Sequence, residues 1–204
     1  MKKNHFYEGL CISILMCIIG ASCTRHKQEV VDTDSPAFQI TESEKLIIPD
    51  AIKLPDNSPG GNTRVLTFFA DGVQKYKAQE IPNSNPVAYQ WAFVAPQADL
   101  YDLTNRKVGN HSQGPAWQLS ILDSMYGQAF SPPRAAVSPD PGSIDWLLLM
   151  PKTDKPPTGA FAGVEYLQRI DTRGGKAPAT PPTSAAQTID VHYTAIYRFS
   201  KKNP

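Results

Sequence analysis

The chain has almost no cysteine where a folded domain would use it. Its three cysteines, Cys11, Cys17 and Cys23, all lie at its N-terminal end. No disulfide can form beyond Cys23, and no thiolate site can be built there. Histidine is nearly as scarce, since only His111 and His192 lie beyond His26. A metal centre needs three or four convergent ligands, and no close spacing such as His-Glu-x-x-His occurs. Folding would have to gather His111, His192 and Asp123 from distant positions, so no metal and no cofactor are expected.

Net charge is missing too. The formal charge is +1, and a chain without Lys2, Lys3 and Glu8 is neutral. A neutral domain offers no basic field for nucleic acid. There is no glycine-rich turn between a strand and a helix to seat a dinucleotide phosphate. The Gly-x-Ser-x-Gly elbow of many hydrolases is also absent.

Long apolar runs are lacking. The longest, residues 10–20, is about half of the roughly 20 residues needed to cross a bilayer, and Glu8 and the Thr24-Arg25-His26-Lys27 cluster flank it. With Lys2 and Lys3 before it and Ala21-Ser22-Cys23 after it, the segment has the tripartite layout of a secretory signal. The expectation is a lipoprotein signal over residues 1–22, with Cys23 acylated as the new N-terminus. Gly20 is the departure, because an aliphatic residue is usual three places before the cysteine. The alternative is ordinary cleavage and a secreted, soluble protein.

Proline is abundant. All 19 prolines follow Cys23, and an interior proline costs a helix about 3 kcal/mol. An all-helical domain is excluded. Residues 24–43 are polar, of mixed charge and without sustained periodicity, and read as a flexible tether. A single β-rich domain is expected over residues 44–204.

Within it, residues 64–70 and 73–79 are short runs joined by Asp71-Gly72, the dipeptide of a two-residue hairpin. Residues 89–94 alternate and stop at Pro96. Trp117, Leu119 and Ile121 alternate with polar residues. Residues 144–150 form a continuous apolar run around Trp146, expected to be covered on both faces. Residues 164–170 alternate again. In the last run Ile189, Val191, Tyr193, Ala195, Tyr197 and Phe199 share a face, opposite Asp190, His192, Thr194 and Arg198. Residues 132–141 and 176–187 read as the longest irregular stretches. The pattern predicts an all-β fold, an antiparallel β-sandwich or barrel of about seven to eight strands with Pro/Gly-rich loops.

Six short motifs in series, Gly72-Val73-Gln74 with Tyr76, Trp91 with Phe93 and Pro96, His111 with Gly114, Pro115 and Trp117, Trp146-Leu147-Leu148-Leu149, Gln168-Arg169 with Thr172, Gly174 and Gly175, and Tyr193 with Ala195 and Tyr197, resemble a family of secreted bacterial and fungal proteins, the domain-of-unknown-function family 3455 (DUF3455). The resemblance spans nearly the whole domain and implies one secreted domain with no established activity. Relatives often carry a cysteine after the first motif and another after the Gly-Gly segment. Lys77-Ala78-Gln79 and residues 176–183 have none, so a disulfide suspected in relatives is absent. Some fungal members carry a malate dehydrogenase label, which the missing dinucleotide turn contradicts here.

The segment His111-Ser112-Gln113-Gly114-Pro115-Ala116-Trp117 is where a titratable side chain, a rigid turn and an aromatic come together. As a loop it would present His111 beside the Trp117 indole to a ligand, or to acid–base work. The structural alternative makes Trp117 a core residue and His111 a loop residue bonded to backbone. Gln168 and Arg169 are further ligand-binding candidates, on opposite faces of one strand, so only one can point into a given pocket. No catalytic residue is assigned. The expected function is an exported, lipid-anchored, non-catalytic β-domain of the bacterial cell envelope, facing the periplasm or in the outer membrane, that binds a small molecule, glycan or protein. The alternative is a secreted hydrolase-type enzyme using His111.

Overall fold

The structure, a computed structural model, describes residues 32–204. The signal segment and Cys23 lie outside the described residues. Eight antiparallel strands follow one another in sequence order round a closed barrel. They are β1 (Asn62–Glu80), β2 (Tyr89–Tyr101), β3 (Lys107–Ser112), β4 (Ala116–Gln118), β5 (Ser124–Ala136), β6 (Trp146–Pro151), β7 (Tyr166–Gly174) and β8 (Thr188–Lys202). The last strand closes the ring on the first, from Asn62 opposite Lys202 to Lys77 opposite Thr188. The expected all-β antiparallel fold is therefore a barrel, in which the part of β2 before Ala98 pairs with β1 alone.

Alternation sorts the side chains to two sides of the wall. Phe68, Leu100, Trp117, Leu149, Leu167, Tyr193, Tyr197 and Phe199 belong to the cluster inside the barrel. Phe69, Trp146, Leu148, Tyr166, Ile170 and Ile196 form a second cluster on the outer face. The run around Trp146 is thus covered on both faces, as its continuous apolarity predicts.

The outer cluster is covered by residues expected in or next to the tether. Pro36–Ser43 is an α-helix, α1, with Pro36 in its first turn and the Ser35 hydroxyl accepting from the Phe38 amide. Ile40 is buried, as is Ile52 in the 3-10 turn Asp50–Ile52. The packed domain accordingly begins before residue 44. Eight residues with Gln39 and Ser43 on the buried side give little apolar periodicity, which is why the sequence reads as a tether there.

Glycine and proline cause the other departures. Asp71-Gly72 is not a hairpin but the middle of β1, with Gly72 opposite both Ala98 and Tyr193. A Cβ on Gly72 would lie 2.2 Å from the Gln97 carbonyl oxygen and 2.6 Å from the Ala98 Cβ. The glycine serves close approach of β1 and β2 rather than a turn. Pro96 does not end β2, because β3 pairs with β2 only from Ala98 onward and the missing amide costs no ladder bond to β3. Residues 132–136, expected in a loop, are in β5, where pairing jumps from Ala129–Leu149 to Arg134–Leu148 and residues 130–133 bulge outward. From there Arg134 donates to the Ala51 and Lys53 carbonyls at 3.0 and 2.7 Å.

Candidate functional site

The barrel interior is filled at one level and open at another. Phe161, in the 3-10 turn Gly159–Phe161, meets the Phe68 and Phe199 rings at 6.5 and 5.0 Å. Phe199 in turn meets Trp117 at 6.0 Å, and Trp117 meets Tyr197 at 5.3 Å. Trp117 and Tyr197 also line a pocket of about 500 Å³, well within the range of small-molecule sites.

Three of the four residues expected at a ligand site converge on this pocket: His111, Trp117 and Arg169. Gln168 does not. It lies on the outer face, where its amide donates to the Ile52 carbonyl at 2.8 Å. Alternation along β7 separates the two neighbours, so the expectation that only one can serve a pocket is met by Arg169. Trp146 belongs to the outer cluster, and the Trp91 indole donates to the Thr180 carbonyl at 3.0 Å. Trp117 alone of the three tryptophans lines the pocket.

His111 is not the loop residue expected. It sits in β3 opposite Trp117 of β4, with Gly114 and Pro115 in the connection between them. Paired positions on adjacent strands bring side chains together, and the two rings stack with centroids 4.4 Å apart and planes 11° from parallel. Gly127 makes room for this stack, since a Cβ there would stand 2.9 Å from the indole. The His111 Nδ1 lies 2.8 Å from the Ala116 carbonyl oxygen. A carbonyl only accepts, so Nδ1 carries the proton and Nε2 is left as acceptor.

Burial makes the imidazole neutral. With 3% of its surface exposed, the His111 pKa is pushed down to about 3, chiefly by loss of hydration and further by the Arg169 charge, against the opposing bond to Ala116. Burial likewise raises the pKa of the Tyr197 and Tyr193 phenols, whose oxygens lie 3.5 Å apart. Arg169 donates through Nε and Nη2 to the Asp145 carbonyl at 3.1 and 2.7 Å. Its guanidinium is the one cationic group lining the pocket, and no carboxylate lines it among the described residues.

Sequence reasoning missed Gln74, which lines the same pocket and is 3% exposed. Its Nε2 and the Trp117 Nε1 are buried without a hydrogen-bond partner among the described residues, as are the Trp146 Nε1 and the Arg198 Nε on the outer face. The signal was present in the alternation of β1, which puts Gln74 on the side of Phe68 and Ala70, but a lone glutamine in a strand is ordinarily read as solvent-facing.

The metal reading does not assemble. His192 is on the outer face, 2.6 Å from the Asp71 carboxylate, and the Asp123 carboxylate accepts from the Ser120 hydroxyl and the Ala160 amide. No cluster of metal-ligating side chains occurs among the described residues. No helix among them is long and apolar enough to cross a membrane.

The sequence model of a family described as a protein of unknown function (DUF3455) matches residues 59–201, and the chain belongs to that family. No curated protein and no solved structure matches it.

Proposed function

We propose that this member of the DUF3455 family is an exported, lipid-anchored protein of the cell envelope whose barrel binds a small molecule in the interior pocket without transforming it. The observation that carries the reading is the convergence of His111, Trp117 and Arg169 on one cavity that the core leaves open. The lining favours binding over catalysis. Apart from Arg169, its titratable groups are an imidazole held neutral by burial and a phenol whose pKa burial raises. No Ser, Thr, Cys, Asp or Glu lines it among the described residues, so His111 has no side-chain nucleophile there to activate. The anchor is proposed on the tripartite signal and on Cys23, the last cysteine of the chain.

Phenylnaphthylamine, a neutral apolar dye that brightens out of water, tests the pocket. Wild-type protein should enhance its emission. Ala129→Phe, which adds a ring to the pocket lining, should remove most of the enhancement while leaving thermal unfolding cooperative. Unchanged dye binding in that folded variant rejects the pocket as the site. For the anchor, the wild type should take up labelled palmitate and sediment with membranes. Cys23→Ala protein that still does both defeats the lipid proposal.

A further inference from the structure

If the pocket is a binding site, its chemistry restricts what enters. Its walls are largely apolar, with Phe93, Pro96, Pro115, Leu147 and Leu149 among the lining. Phe93 is 54% exposed, so an apolar surface continues outward from the cavity. Water gains little on such walls, and an apolar body gains by leaving water to cover them.

The polar groups point the other way. Arg169 brings a positive charge with no acid beside it among the described residues, and two of its nitrogens are already held by the Asp145 carbonyl. That tether orients the guanidinium and leaves its charge uncompensated. The Gln74 Nε2 and the Trp117 Nε1 have no hydrogen-bond partner of good geometry among the described residues, but both atoms are themselves fully buried, and the Gln74 amide lies beside the Tyr193 phenol. The neutral His111 adds no charge. The lining thus carries one positive charge, a few neutral polar side chains and an apolar majority.

We infer that the pocket takes a small organic carboxylate with an apolar body, its acid group against the Arg169 guanidinium. This rests on the pocket reading above. A carboxylate is an ionised acceptor with two oxygens, which suits a guanidinium. A cation would meet Arg169 as a like charge, and a strongly polar molecule would leave the Phe93 and leucine surfaces unused.

Two sets of probes differing only in the head group test the inference: octanoate, octanol and octylamine, and naphthoate, naphthylmethanol and naphthylmethylamine. Calorimetric titration of the wild type should show at least one acid bound about tenfold tighter than its alcohol, as expected for one desolvated charge-assisted contact, with the amines weakest. Arg169→Gln should remove the preference for the acid while alcohol binding persists, and Arg169→Lys should retain part of it. Should Arg169→Gln fail to fold, the head-group order in the wild type and in Arg169→Lys decides alone. An alcohol that binds as tightly as its acid, or an acid preference that survives Arg169→Gln, overturns the carboxylate while leaving the pocket reading intact. Displacement of phenylnaphthylamine by none of the six overturns the carboxylate. The pocket itself falls only if the dye also ignores Ala129→Phe.

Discussion

The two sides of the barrel wall each leave two buried donors unpartnered among the described residues, Gln74 Nε2 and Trp117 Nε1 inside and Trp146 Nε1 and Arg198 Nε outside, yet they differ in what their other polar groups meet. On the outer face the N-terminal segment brings its own acceptors. Gln168 donates to the Ile52 carbonyl, Arg134 to Ala51 and Lys53, and Arg198 to the Ser43 carbonyl at 2.7 Å, with Glu44 at 3.4 Å from the same guanidinium. Inside, Arg169 donates to one carbonyl and lies beside the Tyr197 phenol, lining a cavity with no carboxylate among the described residues. The outer polar groups fasten a segment of the chain, so their role is structural. Inside, Arg169 lines space the chain does not fill. A ligand there would do for the interior what residues 36–54 do for the outside.

The comparison is broken most severely by emptying the interior. Trp117→Ala should cost about 3–5 kcal/mol in urea unfolding, because a fully buried indole is lost and the cavity is enlarged. Trp117→Phe should keep the fold and is the variant in which to measure binding. Ile52→Ala, on the outer face, should cost about 2–5 kcal/mol by the same mechanism. Unlike the interior change, it should leave phenylnaphthylamine binding intact. Equal losses of dye binding in Ile52→Ala and Trp117→Phe would mean that the two faces are not independent.

Acid should separate them next. His111 has a folded pKa depressed from 6.5 to about 3, so its neutral form is favoured by folding. Its contribution is complete above the unfolded value and is lost as pH falls below it towards 3. Lowering pH from about 7.5 to about 5 should therefore cost about 2 kcal/mol at this group. Stability profiles of the wild type and His111→Gln should differ in slope over that interval. Parallel profiles would show that the imidazole is not held neutral.

Two smaller effects sharpen the contrast. Gln168→Ala should lower stability by about 1 kcal/mol through the lost bond to Ile52, without changing the order of acid over alcohol. Its neighbour Arg169→Gln should do the reverse, altering the order of ligands. His192→Asn, on the outer face beside Asp71, should change neither dye binding nor head-group preference.

The candidate site was half legible in the sequence. His111 and Trp117 stood out because an imidazole, a Gly-Pro turn and an indole lay within seven residues. Their stacking was not legible as strand pairing, since β3 has too few apolar residues to be recognised. Arg169 was identified, but with Gln168 beside it alternation could say only that the two part company, not which goes inside. Alternation along β1 put Gln74 on the side of Phe68 and Ala70, but its burial depends on β2 and β8 lying on either side of β1. The Asp71-Gly72 hairpin failed for the same reason: the dipeptide suits a turn locally, but the Ala98 backbone opposite it makes glycine necessary within a continuous strand.

Composition and alternation alone determined the strand-rich class, the inward face of β8 and the absence of thiolate chemistry beyond Cys23, because these follow from proline content, a two-residue period and a count. Only the tertiary structure decided that the sheet closes, that residues 36–54 cover one side of it, and that Arg169, Gln74, His111 and Trp117 surround one cavity. Each of those depends on contacts between strands distant in sequence, and a local pattern records which side a residue faces but not what it finds there.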